Sequence, residues 1–371
     1  MENNALTPKP VTDVEHKVQF NVNTNVGEKI RFDRYLATNA SNFKQFGNDG
    51  QLMLSIVIYI ALTYQSKDLF GYGSFDVTDF ANKMNYDKGN LFRKHPDPAF
   101  YKKDGMEFKK FYTTNIGNAF FRLFTEKMVL SSKRKNVGNV ESFTDSSISM
   151  LTSLDVSYES LKNKTKVIYQ GEEGFIASLN KAFTLININY LPNLRKPKLD
   201  ALYIYLCQLK DVLVLNKEVV ANPSFDFLCS ICDINSKDVS QAKKYLTKKL
   251  KRLNDDSDLK FDVQFYQKAG RYNYGVRLIF QEMTFKNYET EHKEAVVDVL
   301  DNLYMRNLLL TYKSSIISEN EELDKVKFFD WAENKRANKD LKKKIYVSVY
   351  NSIFPTKISV YDVIVKNKFD K

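Results

Sequence analysis

From Gly50 to Gln65 almost every position is apolar, and Leu52, Ile56, Tyr59, Ile60 and Thr63 recur on one helical face. A helix that is apolar nearly all round belongs at the centre of a core. Helical spacing returns over Phe75–Met84, where Asp76 or Thr78 is placed to cap the start. It returns again over Thr113–Met128, with Ile116, Ala119, Phe120, Leu123 and Phe124 as the apolar stripe. Between these two helices, Asn85–Lys103 carries turn signals at Lys88-Gly89 and His95-Pro96-Asp97-Pro98 and reads as a loop. Val129–Ser132, Ser147–Leu154 and Lys166–Tyr169 read as strands.

The order then repeats. Pro197–Leu215 predicts a long helix with Leu199, Leu202, Tyr203, Leu206 and Leu209 inward. Phe225–Cys232 predicts a short second helix, Asp233–Lys237 a turn, and Asp238–Asn254 a third helix. Leu259–Phe265 and Tyr274–Phe280 are β-rich and flank a hairpin loop, Lys268-Ala269-Gly270-Arg271. Helices followed by strands, twice over, is the order of a winged helix-turn-helix. The expected fold is therefore α+β, with two tandem winged-helix domains and a helical C-terminal extension. The boundaries fall at 1–27 for a polar N-terminal arm, 28–190 for a first domain with a loop insertion, 191–283 for the second, and 284–371 for the extension. Within that extension Glu291–Tyr312 is helical by pattern, Trp331 is the sole tryptophan, and Lys342-Lys343-Lys344 precedes the apolar stretch Ile345–Phe354.

Composition narrows the function. The 371 residues carry a formal charge of +11, which favours an anionic partner. The longest apolar run, Leu52–Leu62, falls short of the roughly 20 residues a membrane span needs. The first nine residues lack a signal-peptide core, so a cytoplasmic location is expected. Three cysteines are too few for a disulfide scaffold, and Cys229-x-x-Cys232 has no second ligand pair for zinc. The three histidines are scattered. No phosphate-loop or dinucleotide motif occurs, and the paired histidines of nicking enzymes are missing. Neither a cofactor nor a metal is expected, and the chain reads as non-enzymatic.

Charge segregation on the predicted third helix of the second domain is the strongest chemical signal. Val239, Ala242, Leu246, Leu250 and Leu253 share one narrow face at about 100° per residue. The opposite face collects Lys237, Ser240, Gln241, Lys244, Lys248, Lys251 and Arg252, and no acid occurs from Val239 through Asn254. A helix apolar on one side and cationic on the other can enter a major groove, where Gln pairs with adenine and Arg or Lys with guanine. Ser240 and Gln241, near its start, suit base contacts, and the later lysines suit phosphates. Lys268 and Arg271 at the hairpin tip suit the DNA backbone or a minor groove. In the first domain Thr114, Asn118, Phe121, Arg122 and Thr125 are read as facing outward, with Asn118 and Arg122 as further DNA contacts. The runs Lys102-Lys103, Lys109-Lys110 and Lys133-Arg134-Lys135 read as solvated loops.

The second half resembles the replication initiator proteins of iteron-containing plasmids, a family with two tandem winged-helix domains. The likeness lies in KPKLDALYIYLCQLKD (196–211) and AKKYLTKKLKRLNDDSDLKFDVQFYQKAGRYNYGVRLIFQ (242–281). It includes the Leu202-Tyr203 pair, the turn from Leu253 to Leu259, and Gly270-Arg271 ahead of an apolar last strand. GFIASLNKAF (174–183) is similar to the link between the family's domains. The resemblance is only architectural over 48–170, where Asn85–Lys110 looks like an insertion, and residues from Thr284 exceed the usual family boundary. It implies binding of double-stranded origin repeats, melting of an AT-rich segment, recruitment of a host initiator and helicase, and a homodimer as a second state. A transcriptional repressor or phage DNA-binding protein on the same fold is the alternative function. A scaffold working through the C-terminal helices is another.

Overall fold

The computed structural model describes residues 29–64, 72–102, 110–137, 140–159, 164–171, 183–216, 218–267 and 274–281, with short pieces between 304 and 332. The predicted arm at 1–27, most of the link at 174–183, the hairpin loop at 268–273 and residues 342–354 lie outside them.

Two lead-in strands open the two halves. Strand β1 (Lys29–Asp33) runs into a short helix α1 (Arg34–Thr38), and β7 (Phe183–Asn187) runs into α6 (Leu191–Arg195). β1 and β7 pair antiparallel with Arg31 opposite Leu185. A 3-10 segment, Ala40–Asp49, then leads into α2 (Gly50–Tyr64). Residues 53–61 of α2 are all buried, as an all-round apolar helix requires.

Each half then repeats one topology. In the first, α2 is followed by β2 (Tyr72–Asp76), α3 (Val77–Lys83), α4 (Lys88–Phe92) and α5 (Asn115–Thr125). A ribbon of β3 (Met128–Val137) and β4 (Val140–Ile148) precedes β5 (Leu151–Glu159) and β6 (Lys164–Gly171). In the second, α7 (Asp200–Leu215) is followed by β8 (Val220–Ala221), α8 (Phe225–Ile231), α9 (Val239–Asp256), β9 (Phe261–Gln267) and β10 (Tyr274–Phe280). The sheets are ordered β2-β6-β5 and β8-β10-β9. In both, a strand lying between the first two helices joins the last strand of the terminal hairpin, and every pairing is antiparallel. The first half differs by the α4 segment and the β3–β4 ribbon. The fold is thus mixed helix and antiparallel sheet, of the α+β class.

Several boundaries move for local reasons. Phe75 belongs to β2, because Asp76 is the cap: its carboxylate accepts from the Thr78 and Asp79 amides at 2.7 and 3.0 Å. The Lys88-Gly89 turn signal sits inside α4, whose start is capped by Asp87. Thr114 caps α5, and Met128 begins a strand. Pro197 lies outside α7, because Lys198 takes a left-handed φ of 56° just before it. Lys133-Arg134-Lys135 is part of β3, paired with Thr144, Phe143 and Ser142 of β4, and is not a loop.

One hydrophobic core runs through both halves, from Phe32, Val57, Phe80 and Phe120 to Leu202, Leu246 and Leu278. Two basic side chains tie the halves reciprocally. Arg195, just before α7, donates to the carbonyls of Met84 and Asn85 at the end of α3, both at 2.7 Å, and lies over the Tyr86 ring. Lys44, just before α2, donates to the carbonyls of Ser230 and Ile231 at the end of α8, at 2.6 and 2.8 Å, and pairs with Asp233. Asn85 and Asp233 both take left-handed φ, 52° and 55°, which turns the chain there and exposes those last carbonyls to a donor. In the extension, Tyr304, Leu308, Tyr312 and Ile316 bury against Phe328 and Trp331 as a separate small cluster.

Candidate nucleic-acid interface

The interface is built on α9. Asp238 caps it, its carboxylate accepting from the Ser240 amide at 2.8 Å. Ala242, Leu246, Leu250 and Leu253 are buried and Val239 is half-buried, so the apolar stripe faces the core. Lys237, Ser240, Gln241, Lys244, Lys248, Lys251 and Arg252 are all exposed. The structure therefore brings these seven residues together on one outer surface. Arg252 also pairs with Asp256 one turn on, at 3.2 Å, so carboxylates stand at the two ends of the helix, Asp238 at its cap and Asp256 in its last turn, with none from Val239 through Asn254 between them.

The segment Leu253–Leu259 is the joint that turns α9 into the hairpin. The Asn254 amide group donates to the Phe261 carbonyl at 3.0 Å and its oxygen accepts from the Phe261 amide at 3.3 Å. Ser257 Oγ donates to the Leu253 carbonyl at 2.7 Å and accepts from the Leu259 amide. The buried Tyr203 of α7 donates to Asp258 at 2.9 Å. Lys243 then spans from helix to hairpin, its ammonium 5.2 Å from the Phe265 ring centre and 4.7 Å from that of Tyr274. Such a cation–π bridge fixes the hairpin's direction relative to the cationic face.

Within the hairpin Gly275 lies directly opposite Tyr266. A Cβ at Gly275 would sit 2.2 Å from the Tyr266 ring, so only glycine lets the ring lie across the backbone. The Arg277 guanidinium lies over that ring at 5.7 Å from its centre. Lys268 and Arg271 lie outside the described residues.

The first half is organised differently. Asn118 is fully buried and Arg122 half-buried, so the outward reading of α5 is corrected. The segment before α5 folds over that side of it: Phe100 and Tyr112 pack on the buried Phe121, and Asn118 Oδ1 accepts from the Ala99 amide at 2.7 Å. Asp49, itself buried, gathers the remaining polar groups. It accepts from Asn118 and Arg122 at 2.8 Å each and meets His95 Nε2 at 2.9 Å. Arg122 also holds Glu126 and the Phe46 carbonyl. Burial opposes the charge on Arg122, but its bonds to Glu126 and Asp49 outweigh that and raise its pKa further. These groups fasten α5 to the segments around it, and Asp49, His95 and Arg122 also line an open hollow beside it.

No protein-family model matches the sequence, and no curated protein matches it. The crystal structure of domains 2 and 3 of RctB is similar to this chain at a TM-score of 0.33 and 15% identity, covering 63% of this chain and 82% of that one. That likeness is too loose to carry fold or function across.

Sequence reasoning missed Ser236, Lys243 and Tyr245. Ser236 and Tyr245 flank Gln241, and Tyr245 is 47% exposed. The helical period could have placed Tyr245 one turn after Gln241. Among the described residues no group of three His, Cys, Asp or Glu could hold a metal, and no helix is long and apolar enough to cross a membrane. Cys207, Cys229 and Cys232 are buried, and burial raises all three thiols, Cys229 to about 11 and Cys232 to about 12.

Proposed function

We propose that this chain is a sequence-specific binder of duplex DNA made of two tandem winged-helix units, without catalytic activity, that initiates plasmid replication by engaging origin repeats. The observation that carries the DNA-binding reading is the exposed cationic face of α9, backed by a buried apolar stripe and followed by a braced hairpin. The repeated order of helix, strand, two helices and hairpin, with the early strand joined to the last one, supports the winged-helix assignment of each unit. Replication initiation is supported by the sequence resemblance over 174–281, which also favours a cytoplasmic protein working with a host initiator and helicase and able to dimerise.

In this reading α9 enters a major groove, with Ser240 and Gln241 toward base edges and Lys244, Lys248 and Lys251 toward phosphates. The hairpin follows the backbone beside it. The second unit supplies the reading helix. The first unit, its helix α5 covered, holds the second in place through the shared core. Footprinting on the DNA flanking the chain's own gene tests this. Protected direct repeats beside an AT-rich stretch are expected, and a single palindrome would favour a repressor instead. Equal affinity for that DNA and for random duplex at fixed salt would refute sequence-specific binding outright.

A further inference from the structure

Gln241 is held in a way that an ordinary surface glutamine is not. It stands in the first turn of α9, the part of a reading helix that reaches base edges. Its carboxamide is braced at both ends. One end meets Ser236 Oγ at 3.0 Å and the other meets the Tyr245 hydroxyl at 3.3 Å. Ser236 Oγ also lies 3.1 Å from the carbonyl of the helix cap Asp238. Its single proton goes to that carbonyl when the Gln241 nitrogen faces Ser236, and is shared with the Gln241 oxygen when the amide is turned the other way. Tyr245 rises from the next turn of α9. The brace therefore fixes the plane of the amide relative to the helix axis.

A carboxamide offers two N–H donors and two acceptor sites on oxygen. The two braces use one group on nitrogen and one on oxygen, whichever way round the amide is turned. One donor and one acceptor remain on this exposed residue. That pair matches the adenine edge in the major groove, where N7 accepts and the N6 amino group donates. A guanine edge presents two acceptors, N7 and O6, and would leave the amide oxygen facing another oxygen. Tyr245, 47% exposed beside the amide, adds the apolar surface that the methyl group of the paired thymine meets.

We propose that Gln241 reads one adenine–thymine pair in the target duplex, and that Ser236 and Tyr245 are the positioning residues that set its amide plane. This rests on the DNA-binding reading of α9 given above. The brace lowers the cost of ordering a flexible side chain on contact, so its loss weakens discrimination more than affinity.

The test uses the full chain and the footprinted duplex. Each A·T pair is changed in turn to G·C, and in a second series each adenine is replaced by its 7-deaza analogue. The native chain should lose about 10-fold to 100-fold in affinity at one position, in both series. Gln241→Ala should bind the unmodified duplex correspondingly more weakly and show no further loss at that position. Tyr245→Phe and Ser236→Ala should narrow the discrimination there while leaving the other positions unchanged. If Gln241→Ala keeps the native profile, the adenine assignment is overturned while DNA binding stands. If Tyr245→Phe and Ser236→Ala keep full discrimination, the positioning role is overturned. A native chain that discriminates at no position overturns this inference together with the reading it rests on.

Discussion

Replacing Asp49 with Ala separates the two roles assigned to the two halves. The carboxylate is 11% exposed and accepts from three side chains, at 2.8 Å from Asn118, 2.8 Å from Arg122 and 2.9 Å from His95. Removing one member of a buried ion pair costs on the order of 3–5 kcal/mol, because the partner stays buried without its counter-charge. Arg122 keeps Glu126 and the Phe46 carbonyl and is 18% exposed, so the lower end, about 3 kcal/mol, is expected. For a unit of this size that lowers the melting midpoint by about 6–12 °C. The segment carrying His95 and Ala99 should also lose protection in hydrogen exchange, since two of its anchors to α5 pass through this cluster. DNA affinity measured well below the melting range should stay within about 2-fold of the native value, because Asn118, Arg122 and His95, the side-chain partners of Asp49, all lie in the first half, away from α9. Unchanged stability with a large loss of DNA affinity would refute the assignment and return Asn118 and Arg122 to the DNA interface.

Further expectations concern the joints and the cationic face. Lys44→Met should cost about 1–2 kcal/mol and release exchange protection at the end of α8, in the opposite half of the chain, and Arg195→Met should do the same at the end of α3. Protection lost only in the mutated half would contradict the reciprocal capping. Gly275→Val should displace the Tyr266 ring at a cost of about 1–3 kcal/mol, part of which a second change, Tyr266→Ala, recovers in a double-mutant cycle; additive losses would rule out the contact. The thiols of Cys229 and Cys232 are raised by burial to about 11 and about 12, so their contribution to stability is full below the ordinary thiol value of 9.0 and is lost as pH rises through these folded-state values. Urea titrations from pH 8 to 11 should show that decline, with Cys229→Ser/Cys232→Ser flattening it. Lys244→Ala/Lys248→Ala should lower the slope of log affinity against log salt by about 1.8, and an unchanged slope would show that neither residue meets a phosphate.

What the sequence makes legible follows from how local each determinant is. The α9 surface could be read directly, since five apolar and seven polar positions of one continuous segment separate by helical period alone. The turn after it is visible only through the family resemblance: Asn254 and Ser257 bond within seven residues, but Asp258 is held by Tyr203, 55 positions away. The face of α5 could not be read. Phe120, Phe121 and Phe124 make that helix apolar on more than one side, as α2 is, and its cover comes from Phe100 and Tyr112 across a connection that reads as a polar loop. The Asp49 cluster joins residues 46, 69 and 73 positions apart, which no local pattern encodes. Strands β2 and β8, which tie each hairpin back to its helices, are five and two residues long, too short for an alternating pattern to stand out.

In the proposed function the outer face of α9 lies against duplex DNA. Thr247 is exposed on that helix between Lys244 and Lys251, and its hydroxyl bonds only locally, to the Lys243 carbonyl at 2.8 Å. A Thr247→Cys variant can carry an iron–EDTA cleavage reagent, since the native thiols are buried and held protonated. Bound to the footprinted duplex, it should cut both strands within the protected repeats, at a position that moves with the repeat when the repeat is shifted. Cuts spread evenly along the duplex, or none inside the protected region, would show that α9 does not face the DNA.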